Sequence, residues 1–258
     1  MNEPLGKILF EGIASISALI NASETGRARR GILRIYIERN RFESEFRRVK
    51  FVSAAAEKLG FEITPVTTDE ASALAGGRTH GGFLAEVTPA VYPGLDLITP
   101  ETGGYFALLE GAEDPYTLAH SLRSLYLCGA GGVILSRPLP DGQDALIARA
   151  SAGTSELLPV FVGPADEAVG IFKKHGYTVA AASARSAEDC DRAAVPFPLL
   201  LVVGGEKRGI TRKILDLCDI SLRVPYAREA LCSLPTESAV AVLAYEICRR
   251  TRAAKGDR

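Results

Sequence analysis

No apolar run in this 258-residue chain approaches the roughly 18 residues that a membrane-spanning helix needs. No biased tract is present either, which excludes collagen-like, coiled-coil and disordered classes. The opening MNEPLGKILFEGIAS lacks the basic start, apolar core and small-residue cleavage site of a secretory leader, so a cytoplasmic protein is expected. Cysteine is sparse: Cys128, Cys190, Cys218, Cys232 and Cys248 include no CxxC pair, and only 3 His are available. Reduced, structural thiols are expected in preference to a disulfide frame, and no metal site is expected. Net charge is also lacking, because 30 Lys+Arg against 31 Asp+Glu leave -1. Taken alone, that total speaks against a nucleic-acid partner, since phosphate binding draws on Lys and Arg.

What is present is an alternation of helical and strand periods. An apolar helical pattern over Gly12 to Ala22 precedes GILRIYI, whose Ile and Tyr content suits a strand. SEFRRVKFVSAAAEKLG reads as a helix with Ser44 at its start and Gly60 at its end. FEITPV, TTDEASALAG and GGFLAEV continue as strand, short helix and strand. The stretch TPAVYPGLDLITPETGG, residues 88–104, has the Pro and Gly content of a linker, so one domain is expected over 1–95 and a second over 96–258. In the second, strand-like YFALLEG, GVILS, LPVFVG, YTVAAA, PLLLVVG and SLRVPY alternate with helices. That is the pattern of a mostly parallel sheet covered on both faces, and the fold class is α/β. Such sheets bind ligands beyond the carboxyl ends of their strands.

Three segments there can carry chemistry. In EDPYTLAHSLRSLYLCGAGGVIL, Asp114 and Pro115 form a helix start, and Arg123 stands one residue off the apolar face of Leu118, Leu122 and Leu125. On the residues alone, Arg123 reads first as an ordinary surface arginine. In VVGGEKRGI, Gly204, Gly205 and Gly209 permit close backbone approach. The spacing is neither GxGxxG nor a P-loop, and a tight strand-to-helix turn explains it as well as a ligand does. In LCSLPTESAVAVLAYEICRR, Ser233 or Thr236 can cap a helix with Val240, Leu243, Ala244 and Ile247 on its core face.

In this order the three segments resemble the three signature motifs of the SpoU/TrmH family of the SPOUT class of RNA methyltransferases. The resemblance covers roughly the last 155 residues. It implies a SPOUT-type domain with a deep trefoil knot, S-adenosylmethionine as cofactor, a homodimer, and methyl transfer to a ribose 2′-hydroxyl, of rRNA before tRNA. By position it makes Arg123, Glu206 and Ser233 the catalytic set and Gly204, Val224 and Leu234 the donor-binding set. Arg123 would clamp a phosphate or stabilise a developing alkoxide, and Gly204 would let the donor approach for want of a side chain. Thr117 and Pro235 stand where the family has Asn, and Lys207 where it has Gly. A protein that keeps the fold and RNA binding but has lost catalysis is the alternative. THGGFLAEV, with His80, is similar to the end of the L30e-like substrate-binding domain that often precedes the catalytic one.

The neutral total hides local excess. Between Arg27 and Lys50, nine basic residues (Arg27, Arg29, Arg30, Arg34, Arg39, Arg41, Arg47, Arg48, Lys50) face Glu38, Glu43 and Glu45, a balance of +6. This cluster, led by Arg27, Arg29, Arg30 and Arg34, is the expected RNA-backbone surface.

Overall fold

The computed structural model describes residues 8–99, 104–139, 142–183, 187–228 and 232–255. The first elements are β1 (Ile8–Glu11), α1 (Ile13–Glu24), β2 (Ile32–Glu38), α2 (Arg41–Ser44), α3 (Phe46–Leu59), β3 (Glu62–Val66), α4 (Thr68–Ala75) and β4 (Phe83–Val87). After a 3₁₀ turn at Leu95–Leu97 come β5 (Tyr105–Glu110), α5 (Pro115–Leu127), β6 (Val133–Leu135), α6 (Asp144–Ala150), α7 (Thr154–Leu157) and β7 (Val160–Val162). The chain ends through α8 (Ala165–Lys174), β8 (Thr178–Ala182), β9 (Glu188–Asp189), β10 (Leu199–Gly204), α9 (Arg212–Leu215), β11 (Ile220–Arg223) and α10 (Thr236–Lys255). None of the described helices is long and apolar enough to cross a membrane.

Two compact units result, and the chain passes from one to the other between Val91 and Tyr92, a few residues before the boundary expected at 95. One further difference is larger: α6 and α7, which the sequence places in the second domain, belong to the first unit.

The first unit carries a four-stranded mixed sheet in the order β1-β4-β2-β3, with only β2 and β3 parallel. Its core gathers Phe10, Ile16, Leu19, Ile20, Ile35, Ile37, Val52 and Phe83, all at most 1% exposed. Gly60 closes α3 in the left-handed conformation, φ +78, as the sequence indicates. Ser44 does not open that helix; it ends α2 and donates its hydroxyl to Asn40 O at 2.8 Å. Thr67 and Glu70 form a capping box at α4. Buried His80 accepts the Gly82 N–H at Nδ1, 3.1 Å, and so fixes the turn into β4. Gly153, at φ +83, brings the α6–α7 segment against α1, because a Cβ there would meet the Ala18 Cβ at 2.5 Å.

The second unit is built on seven strands, all paired in parallel, in the order β7-β6-β5-β10-β8-β11-β9. Leu199 to Val202 of β10 are fully buried, as an unalternating apolar strand covered on both faces should be. Asp114 caps α5 by accepting Thr117 N at 2.8 Å, with Pro115 at the first helical position. Leu118, Leu122 and Leu125 of that helix, and Val240, Leu243, Ala244 and Ile247 of α10, are buried.

Candidate functional site

Beyond the carboxyl ends of β8, β10 and β11 lies a concavity of about 1440 Å³. Gly204, Glu206, Val224, Ser233 and Leu234 line it, together with Leu222, Tyr226, Pro235 and Thr236. Five of the six residues expected at the catalytic and donor sites are therefore brought together. Arg123 is not among them: it is exposed on α5 and does not line this concavity.

The glycine turn has a definite backbone cause. Gly205 donates its N–H to Glu110 O at 2.7 Å, and Gly209 donates to Gly205 O at 3.0 Å, forming an isolated antiparallel bridge. Glu206, Lys207 and Arg208 are thereby held at an exposed tip. A Cβ on Gly204 would lie 2.1 Å from the Gly209 carbonyl carbon, and one on Gly205 would lie 2.1 Å from Gly111 O. The space beside Gly204 is filled by the chain's own backbone, so glycine is required there for the turn to close on itself. This corrects the expectation that its bareness admits a ligand. Glu110 locks the exit of the turn by accepting the Thr211 N–H at 3.0 Å and hydroxyl at 2.7 Å.

The third motif is tied to the second. The Thr236 hydroxyl donates to Gly204 O at 3.3 Å, and Leu234 N donates to the Tyr226 hydroxyl at 3.0 Å. Pro235 occupies a place where a missing N–H costs nothing, because its carbonyl accepts Ala239 N at 3.0 Å as the first helical bond of α10. Thr117 is buried, and its hydroxyl faces Glu237 across a long 3.5 Å contact. Tyr226 is a site residue that sequence reasoning did not single out, its only signal being its place at the end of the strand-like SLRVPY, and Thr236 was named there only as a possible helix cap.

The walls suit an amphipathic ligand: Ile210, Leu222, Val224, Pro225 and Leu234 are apolar, while Ser183, Asp189, Glu206 and Ser233 are polar. Asp189 is held by Arg223 Nε at 2.6 Å, whereas Glu206 has no ion-pair or hydrogen-bond partner among the described residues. A smaller cavity of about 380 Å³ lies at the ends of β5 and β6, on the other side of the glycine turn. There Glu113 bridges Lys207 at 3.1 Å and Arg137 at 2.9 Å. The Lys207 ammonium, with Arg137 and Arg208 behind it, holds the Glu113 carboxyl below its usual range.

In the first unit, the expected RNA-backbone arginines separate. Arg30 is 4% exposed, pairs with Asp144 at 2.7 Å and Glu156 at 3.1 Å, and lies 4.9 Å from the Phe10 ring centroid. Arg29 pairs with Glu156 at 3.7 Å and donates to the Ser155 carbonyl. Both arginines are internal fasteners of the α6–α7 segment, a correction to their expected place on an RNA-facing surface. Arg34 is half-exposed and paired with Glu62 at 2.6 Å; Arg27 is exposed.

Residues 105–245 match the model of the SpoU rRNA Methylase family. A putative TrmH family tRNA/rRNA methyltransferase of Staphylococcus haemolyticus is 30% identical over 66% of this chain and 71% of its own length. Among solved structures, the AdoMet-bound rRNA methyltransferase of Sinorhizobium meliloti superposes with a TM-score of 0.77 at 20% identity, covering 95% of this chain and 87% of that one. An RNA 2′-O ribose methyltransferase superposes at 0.75 and 21% identity, over 96% and 90%.

Proposed function

Because the chain belongs to the SpoU rRNA Methylase family, we propose that it transfers a methyl group from S-adenosylmethionine to a ribose 2′-hydroxyl of RNA, of rRNA before tRNA. The observation that carries this reading is the convergence of the second and third motifs on one concavity through the Thr236–Gly204 bond. Its mixed walls fit the donor. Val224, Leu234 and Ile210 offer apolar surface to an adenine, and the loop backbone offers hydrogen bonds. The bound donor supplies an electrophilic methyl on a sulfonium.

The chain's part is alignment and charge. The Glu206 carboxylate, at the exposed tip beside the concavity, would accept a hydrogen bond from the ribose 2′-hydroxyl and orient it, the hydroxyl proton passing to solvent as the O–C bond forms and the donor leaves as a neutral thioether, while Ser233 would donate nearby. A guanidinium holds its proton too tightly to act as a base at neutral pH. Arg123 therefore serves as phosphate clamp and stabiliser of alkoxide charge. In a homodimer docked through α5 and α10, Arg123 comes from the second copy. Supporting this are Tyr116, Leu127, Val242 and Tyr245, which leave 50%, 68%, 39% and 64% of their surface exposed on those helices. The trefoil knot of the SPOUT fold and an L30e-like, RNA-binding role for the first unit belong to the same proposal.

Titration calorimetry with S-adenosylmethionine tests the donor site. Saturable binding is expected, and no heat at millimolar donor would contradict the reading.

A further inference from the structure

Burial of Arg29 and Arg30 removes the centre of the basic cluster, and the cations still available lie elsewhere. Val49, Val52 and Ala55 of α3 are buried in the core of the first unit, so the helix turns its opposite face outward. On that face Arg47 and Lys50 are exposed and have no ion-pair partner among the described residues, unlike Arg48, which pairs with Glu45, and Lys58, which pairs with Glu24. On either side of them stand Phe46, 64% exposed, and Phe51, 38% exposed. Among the described residues of this unit they are the only aromatic rings exposed to more than a third.

At 3.6 residues per turn the four side chains fall within about 140° of arc, with Phe46 beside Lys50 and Arg47 beside Phe51, each four residues apart. The two rings are about 7.5 Å apart along the axis, since each residue rises about 1.5 Å. Isolated surface apolar residues need no explanation. Two rings flanking two unneutralised cations on one rigid helix do, because this is the combination that stacks bases and follows a phosphate backbone. A membrane-surface helix would present its whole apolar stripe, and here that stripe is spent on the core.

We infer that the outer face of α3 is a docking surface for a single-stranded RNA segment, with Phe46 and Phe51 stacking on bases and Arg47 and Lys50 contacting phosphates. This rests on the proposed RNA methyltransferase function and names a contact surface for it.

The test is anisotropy binding of the full chain to a mixed-sequence single-stranded RNA oligonucleotide across a salt series, with calorimetric donor affinity and melting temperature as controls. The double variant Phe46→Ala/Phe51→Ala is expected to weaken binding at least tenfold with the salt slope unchanged. Phe46→Tyr/Phe51→Tyr, which keeps both rings, should restore it. Arg47→Ala/Lys50→Ala should flatten the slope of log affinity against log salt by about 1.4, or about 0.7 per phosphate contact. Wild-type RNA affinity in Phe46→Ala/Phe51→Ala overturns the inference while leaving the methyltransferase reading intact, and so does binding of the full chain to anionic vesicles that Phe46→Ala/Phe51→Ala abolishes while RNA binding is unchanged. A wild-type chain that neither binds RNA nor transfers methyl groups to it overturns both.

Discussion

Gly204 and Gly209 approach so closely that a Cβ on the first would stand 2.1 Å from the carbonyl carbon of the second. Five residues of chain leave β10, expose Glu206, and return to seal the strand's own end. The concavity has this closed turn as one wall and the Thr236–Gly204 bond as its tie to α10.

Gly204→Ala should therefore damage the site without touching the ligand. A methyl forced against backbone cannot rotate away, and overpacking of this kind costs about 1–3 kcal/mol. The expected result is a lower urea midpoint and donor affinity reduced beyond detection by calorimetry. Unchanged stability would show that the turn opens readily.

Arg30 fastens α6 and α7 to the first unit through two carboxylates while almost fully buried. Removing one partner of a buried ionic cluster typically costs about 3–5 kcal/mol, because the remaining charges stay desolvated. Arg30→Ala should show that loss in chemical denaturation, whereas Arg34→Ala, whose pair with Glu62 is solvent-screened, should unfold nearly as wild type. Equal effects would contradict the division between fastening and surface arginines.

The Glu113 carboxyl is held below its ordinary value first by its hydrogen bond and charge interaction with Lys207. For a depressed carboxyl, the stabilisation is fully present above the unfolded value near 4.5 and is lost as pH falls through the folded value. At neutral pH the Glu113–Lys207 tie between the first two motif loops is intact, and acid loosens it. An NMR titration of Glu113 should show its midpoint rising toward 4.5 in Lys207→Ala; an unmoved midpoint would remove Lys207 as the cause.

Thiol chemistry reports on the same concavity. Cys232 is exposed and lines it, whereas burial, then the nearby Asp219 charge, pushes the Cys218 thiol up to about 11. Because the thiolate is the nucleophile, iodoacetamide at pH 8 should label Cys232 well before Cys218, and S-adenosylmethionine should protect Cys232. Preferential labelling of Cys218 would contradict this account.

Much of this was legible in the sequence because the signals are local. The unbroken apolar LLLVV marks the central strand β10, Gly60 marks the end of α3, and Asp114–Pro115 marks the start of α5. Gly204, Glu206, Val224, Ser233 and Leu234 fall at one concavity because the segments that carry them follow the ends of β10 and β11 or lead into α10. What was not legible depends on distant partners. The partners of Arg30, Asp144 and Glu156, lie 114 and 126 residues away, so a local count sees only a +6 surface. The four residues of β1 carry too short a pattern to separate from the helix that follows. The α6–α7 segment has an ordinary helical period, and nothing in that period says which unit it joins.

The most direct measurement is transfer of methyl-labelled S-adenosylmethionine to unmodified rRNA, followed by digestion to nucleosides and mass spectrometry. The account predicts label in 2′-O-methylnucleosides, reduced at least a hundredfold in Arg123→Ala while donor binding persists. Label on a base, or an Arg123→Ala protein with undiminished turnover, would contradict it.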